Sequence, residues 1–226
     1  MKKSILSFFL FGAILSASPV SVTLVDAGHP VQYVGSEAVG PYDLNINGVT
    51  VQAMCMDDFL TNPVGSKWNA NVTAVNGSSF SNTYLGMSSD KNTIGWSSTS
   101  YTDKQMYTIE AYLFNQLVQP NADRRNIQQA AWDVMDSNSY VGDYYGNQTV
   151  MSILNDALAN YSSFDTTGYQ IVTDVNGNGV WRGNQEFMIH TSATPEPATF
   201  ALMGGGLFAA GAFSFFRRRK QAEVKA

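Results

Sequence analysis

The spacing of apolar residues changes twice along this chain. Residues 20–25 alternate between apolar and polar, and residues 44–51 alternate again around Asn47-Gly48. That dipeptide tolerates positive φ and predicts a hairpin turn between Ile46 and Val49. Residues 49–56 continue as a mostly apolar strand holding Cys55 near its end, closed by Asp57-Asp58 and Thr61-Asn62-Pro63. Residues 65–100 are rich in Ser, Asn, Thr and Gly, with Trp68, Val72, Val75, Phe80, Tyr84 and Trp96 spaced among them. Strands and long loops are expected there rather than disorder, because the aromatics need burial.

The period then lengthens. Thr102-Asp103 reads as a cap and first turn, and Met106, Ile109, Leu113 and Leu117 follow at spacings of three and four, ending before Pro120. A second helix, capped at Asn121, runs through Ile127, Ala130, Ala131, Val134 and Met135 to about Asp136. A third covers 149–159, with Val150, Ile153, Leu154, Ala157 and Leu158 on one face. A loop with Tyr140, Tyr144 and Tyr145 joins the last two. After Phe164 the period returns to two: residues 169–173 and 186–189 flank the turn-rich stretch 174–179. Strands, helices and strands in that order predict an α+β fold. It is an antiparallel β-rich domain with a central three-helix segment, its first and last strands in one sheet.

The two ends follow different rules. Met1-Lys2-Lys3, an apolar run from Ile5 to Leu15 and the small residues Ser16-Ala17-Ser18 read as a signal peptide over 1–17, cleaved after Ala17. Near the other end, the nineteen residues from Ala198 to Phe216 carry no charge. As a helix they reach about 28 Å, enough to cross a bilayer core. Arg217, Arg218, Arg219 and Lys220 then hold that end on the cytoplasmic side, with 221–226 as a cytoplasmic tail. Between the ends, residues 18–193 form one domain's length of chain.

Pro195-Glu196-Pro197, the apolar helix 198–216 and the basic run Arg217, Arg218, Arg219 together resemble the PEP-CTERM sorting signal of bacterial exported proteins, also known as an ice-binding-protein C-terminal domain. The resemblance covers 194–220. It implies recognition at Pro195-Glu196-Pro197 by an exosortase-type membrane protease and transient anchoring in the inner membrane through the helix. Release to the cell surface or extracellular matrix would follow, in association with polysaccharide and biofilm.

Removing the ends changes the charge. Seven of the 13 basic residues (Lys2, Lys3, Arg217, Arg218, Arg219, Lys220, Lys225) and two of the 18 acidic ones (Glu196, Glu223) lie outside 18–193. The body keeps 6 basic and 16 acidic residues, a net charge of −10. Such a surface repels phosphates and anionic lipids, so nucleic acid is not an expected partner, and the membrane is met only through the C-terminal helix. A single cysteine, Cys55, in a chain bound for an oxidising compartment has no partner for an intrachain disulfide.

The cysteine has a second context. Met54-Cys55-Met56-Asp57 ends a strand, and Gln128-Gln129-Ala130-Ala131-Trp132 lies on the second helix. Together these resemble the thioester domains of bacterial surface adhesins, in which a strand Cys condenses with a Gln of a Gln-x-Ala-x-Trp helix. Carried over by position, the resemblance makes Cys55 the thiol and Gln128 the acyl donor, with Ala130 and Trp132 in the matching places; Gln129 is an alternative donor. This sequence has Met54 where the family usually carries an aromatic or Leu, and Ile127 where it carries Thr. The other reading is a buried structural thiol on a core-facing helix.

Asp174, Asn176 and Asn178, followed by Gly179, resemble the start of a calcium loop. The twelfth position is Gln185 and strands flank it, so a plain hairpin turn is the competing account. Asp57-Asp58 reads as an exposed strand end, with a pair that raises the Cys55 pKa or binds a cation as the alternatives. His29 and His190 lie in no metal-binding spacing, and no nucleophile elbow, phosphate loop or dinucleotide fingerprint occurs. No catalytic residue, metal or cofactor is assigned. The expectation is an adhesive or matrix-binding module rather than an enzyme, with a structural or carbohydrate-binding protein as the alternative and a polymer-acting enzyme third.

Overall fold

Each strand of the body offers one apolar face, and six of them close on one another to hide it. The computed structural model describes residues 18–28, 30–58, 60–88, 94, 99–135, 147–177 and 183–191. The strands are β1 (Val20–Asp26), β2 (Gln32–Val34), β3 (Glu37–Val39), β4 (Tyr42–Ile46), β5 (Val49–Cys55), β6 (Lys67–Ala74), β7 (Tyr169–Asp174) and β8 (Phe187–His190). An antiparallel barrel closes in the order β1-β4-β5-β8-β7-β6, while β2 and β3 form a separate hairpin. Closure leaves the barrel no free edge. The first and last strands thus share a sheet, as the sequence predicts, and that sheet is a barrel.

Alternation decides what fills it. Val22, Leu24, Leu44, Ala53, Cys55, Ala70, Val172, Phe187 and Ile189 pack inside with Tyr42 and Trp68. Residues one step out of phase, Met54, Met56, Ile171 and Met188, join the helices in a second core. The predicted hairpin is present: Asn47 and Gly48 have φ of 50° and 90°, and Ile46 pairs with Val49. Asn45 Oδ1 accepts from Gly48 N at 2.9 Å and Asn47 Oδ1 from Ser21 N at 3.0 Å, so the turn is tied to β1.

Four α-helices form the second layer: α1 (Tyr84–Met87), α2 (Asp103–Leu117), α3 (Arg124–Met135) and α4 (Gln148–Asn160). The last three are those predicted from periodicity; α1 is a single turn with no periodic signal. Thr102 and Gln105 form a capping box on α2, and Asn147 Oδ1 caps α4 through Thr149 N and Val150 N. The cap of α3 differs from expectation. Asn121 has φ of 64° and lies in the turn before the helix, while Asp123 Oδ1 accepts from Asn126 N at 3.4 Å. A residue in the left-handed region cannot occupy an N-cap, whose backbone is extended. Helix α2 buries eight of its 15 residues and contacts α3, α4, β5 and β8.

Several expectations lie outside the described residues: the signal peptide 1–17, His29, Trp96, the tyrosine loop, Asn178, and the sorting segment with its 198–216 helix. Among the described residues no helix is long and apolar enough to cross a membrane.

Candidate functional site

Cys55 is placed by pairing at the end of a strand. It lies opposite Phe187 in the β5–β8 ladder, and Met56 N continues the pairing to Glu186 O at 2.9 Å. Phe187 is itself held between Trp68, stacked at 6.0 Å between centroids, and Tyr42, edge-on at 5.7 Å. The backbone then turns inward at Asp57, so that its carbonyl accepts the Cys55 thiol proton at 2.8 Å. The thiol is completely buried.

Helix α3 brings Gln128 to the same point. Its carboxamide nitrogen donates to the Cys55 carbonyl oxygen at 2.5 Å, joining residues 73 apart in sequence. Gln128 is fully buried, and its Oε1 has no hydrogen-bond partner. Gln129, one step round the helix, is only half-buried, whereas Gln128 makes the contact with the Cys55 carbonyl. Trp132, one turn further on, brings its indole N–H close enough to the sulfur to favour the thiolate; that nitrogen has no full hydrogen bond of its own. Buried polar atoms without partners cost free energy, and Gln128 Oε1 and Trp132 Nε1 are two such atoms one turn apart on α3.

A cover lies over this group. Val34 of β2 and Val39 of β3 pack on Trp132, and the Tyr42 hydroxyl hydrogen-bonds the Ala38 carbonyl of the same hairpin. Tyr42 is near enough to Cys55 for charge on the sulfur to raise the phenol's pKa, although burial is the larger cause. Trp132 and Tyr42 are therefore both held by the β2–β3 hairpin.

The electrostatics oppose the thiolate. Burial pushes the Cys55 pKa well above its ordinary value, and the negative charge of Asp57 adds to that; the Asp57 carbonyl and Trp132 pull the other way. Asp57 is not the exposed strand end that its tandem with Asp58 suggests. It is 1% exposed, and its carboxyl accepts from Glu186 N at 2.7 Å and Leu60 N at 3.3 Å. Burial raises its pKa to about 7 against the lowering effect of those bonds. The inward course of the chain after β5 buries Asp57, whereas Asp58 remains half-exposed.

Two further acids, Glu186 and Glu110, are buried. Glu186 accepts from Tyr84 N (2.8 Å), Thr173 Oγ1 (2.5 Å) and Tyr107 Oη (2.8 Å), and burial lifts its pKa to about 7. Glu110, on α2, is fully buried with no partner for either oxygen, and burial followed by the charge of Glu186 raises its pKa strongly. One signal was available: Glu110 falls four residues after Met106 and three before Leu113, on the apolar face.

The Asp174 carboxylate accepts from Asn176 N at 2.9 Å, Asn184 N at 3.0 Å and Asn184 Nδ2 at 2.5 Å. His190 is exposed and rests against Tyr169, centroids 4.5 Å apart. Among the described residues no three His, Cys, Asp or Glu side chains are grouped for a metal ion.

Comparison of the chain with curated proteins and with solved structures returns no match. Its C-terminal end does match a family model: residues 193–220 carry a PEP-CTERM protein-sorting motif, the signal of an exported protein handled by an exosortase at the membrane.

Proposed function

We propose that this chain is an exported surface or matrix module whose domain stores an internal thioester between Cys55 and Gln128, and uses it to acylate an amine on a cell-surface or matrix polymer. One observation carries the reading: a fully buried carboxamide lies against the only cysteine, its nitrogen 2.5 Å from the Cys55 carbonyl oxygen. Further support is the aromatic cover of Trp132 and Tyr42 near the buried thiol.

The chemistry balances with these two side chains. The Cys55 sulfur attacks the Gln128 carboxamide carbon, a C–S bond forms, the C–N bond breaks, and the thiol proton leaves with the nitrogen as ammonia. Held proximity replaces a bimolecular encounter. A target amine later attacks the same carbon, forming an amide and returning the thiol. Burial that raises the thiol pKa also makes sulfur a poorer leaving group, which slows loss of the bond to water. Each molecule acts once, so the module is not an enzyme.

Intact mass of the mature domain tests the reading. The expected mass is short by one ammonia and rises by one methylamine after treatment with that amine. A mass equal to the sequence, with Cys55 alkylated once the domain is unfolded, would leave the structural or carbohydrate-binding alternative.

A further inference from the structure

Cys55 and Gln128 are both completely buried, so neither a target amine nor water reaches them unless a neighbouring element moves. Two of the elements around them are held on both sides. Strand β5 is paired with β4 along one edge and with β8 along the other, and α3 packs against both α2 and α4. The β2–β3 hairpin is held differently. Its two three-residue strands pair with each other and stand outside the barrel. A two-stranded hairpin is marginal in water by itself and depends on what it packs against. Its buried side chains, Val34 and Val39, form with Trp132 a cluster separate from the barrel and helical cores. Its polar ties to the body are the Tyr42 hydroxyl on the Ala38 carbonyl and, at the surface, the Thr61 hydroxyl on Glu37 Oε2 at 3.4 Å. The root of the hairpin is tight and its tip is open. A Cβ on Gly28, whose φ is 92°, would lie 2.6 Å from the Pro41 carbonyl oxygen, whereas one on Gly35 in the turn would meet nothing within 4 Å.

What the hairpin touches sets it at the site. Trp132 is one turn beyond Gln128 on α3, and the Tyr42 ring lies edge-on to Phe187, the ladder partner of Cys55. We propose that the β2–β3 hairpin is the lid of this site, opening about its root at Gly28 and Gly40 to uncover Trp132 and Tyr42 and admit small molecules to Cys55 and Gln128. Its role as the gate for acylation rests on the thioester reading above; its role as the cover of the Cys55 sulfur does not. Closed, the lid keeps water from the bond. Opening it breaks the Val34 and Val39 packing on Trp132 and the Tyr42 tie, while the barrel and helices stay folded.

Reaction rates of the mature domain test the lid. They are read as methylamine capture by time-resolved intact mass or, in a domain that is not condensed, as alkylation of Cys55 by iodoacetamide without denaturant. Val34→Ala combined with Val39→Ala should raise the rate at least about tenfold, through lost apolar contact. Tyr42→Phe, which keeps the ring on Phe187 and removes the Ala38 tie, should raise it about 2–10-fold. Tyr33→Ala, on the exposed outer face of the hairpin, and Ile171→Val, in the helical core, should leave it within about twofold. In dilute urea the rate should depend on denaturant far more shallowly than the unfolding equilibrium, because lid opening exposes little surface. A double valine variant that reacts like the wild type overturns the lid. So do rates that follow global stability across all the variants with the full urea slope. A wild type that retains its ammonia overturns the thioester, and the alkylation rates of the same variants then decide the lid by themselves.

Discussion

Gln128 reaches Cys55 through the backbone: its Nε2 donates to the Cys55 carbonyl at 2.5 Å, while its Oε1 is buried without a partner. The amide is thus anchored by one atom and left unsatisfied at the other. Gln128→Ala should lose the ammonia deficit entirely and destabilise the domain by about 1–3 kcal/mol, the usual effect of removing one side of a buried hydrogen bond. Gln129→Ala, on the half-buried side of α3, should retain the deficit and change stability by less than about 0.5 kcal/mol. Intact mass and denaturant unfolding of the two variants separate the donors.

Trp132 links the thiol to its cover. Val34 and Val39 hold one side of the indole and Cys55 lies near its N–H. Trp132→Phe should retain the fold and raise the thiol pKa, since the N–H acts to lower it; this is read by titrating Cys55 in a Gln128→Ala background. Trp132→Ala opens a cavity beneath the hairpin and should cost about 3–5 kcal/mol. If the thioester forms, faster reaction of its residual bond with water should accompany that loss. Equal hydrolysis rates in the wild type and Trp132→Ala would show that the indole does not shield the bond.

Three buried acids set the pH dependence of stability. Asp57 and Glu186 have folded-state pKa values raised to about 7, and Glu110 is raised strongly, in each case chiefly by burial. Between the ordinary carboxylate range near 4 and pH 7 the folded state therefore binds more protons than the unfolded chain. Stability is highest below that window and falls as pH rises through it. The melting temperature should be several degrees higher at pH 5 than at pH 8, at about 2–4 °C per kcal/mol for a domain of this size. Glu110→Gln, a neutral isostere, should raise the melting temperature at pH 8 and change it little at pH 5. A melting temperature that climbs steadily from pH 5 to pH 8 would contradict the three raised values.

Much of this was legible because the relevant signals are local. The Asn47-Gly48 turn and the faces of α2, α3 and α4 follow from spacing, and two short motifs single out Cys55 and Gln128, whose contact in the structure runs to the Cys55 backbone carbonyl. Barrel closure was not legible, because β1 pairs with both β4 and β6 and nothing in a single strand names its partners. The acid cluster escaped for a similar reason. Asp57 and Glu186 meet across 129 residues, and each alone looks like a solvated strand end. The residue type of Asn121 suggests a cap, whereas its backbone conformation places it in the preceding turn.

Helix α1 supplies the last prediction. Its first residues give Tyr84 N–H to Glu186 Oε1 at 2.8 Å, and Leu85 N–H to the Tyr107 hydroxyl at 3.1 Å, so this single turn holds the acid cluster from one side. A Cβ on Gly86 would sit 1.9 Å from the Phe80 carbonyl oxygen and 2.5 Å from its carbon, both backbone atoms that cannot swing aside. Gly86→Ala must therefore displace α1 or the 80–83 turn, at an overpacking cost of about 1–3 kcal/mol or more. Gly48→Ala provides the contrast: its φ is 90° but nothing lies within 4 Å of the added carbon, so strain alone acts, at about 1 kcal/mol. Only the first substitution should also disturb Glu186. Losing the Tyr84 N–H bond, which lowers the Glu186 pKa, should raise that pKa and extend the fall of stability to higher pH. Melting curves of the two variants from pH 5 to 9 read the difference, and parallel curves for both would show that α1 does not support the acids.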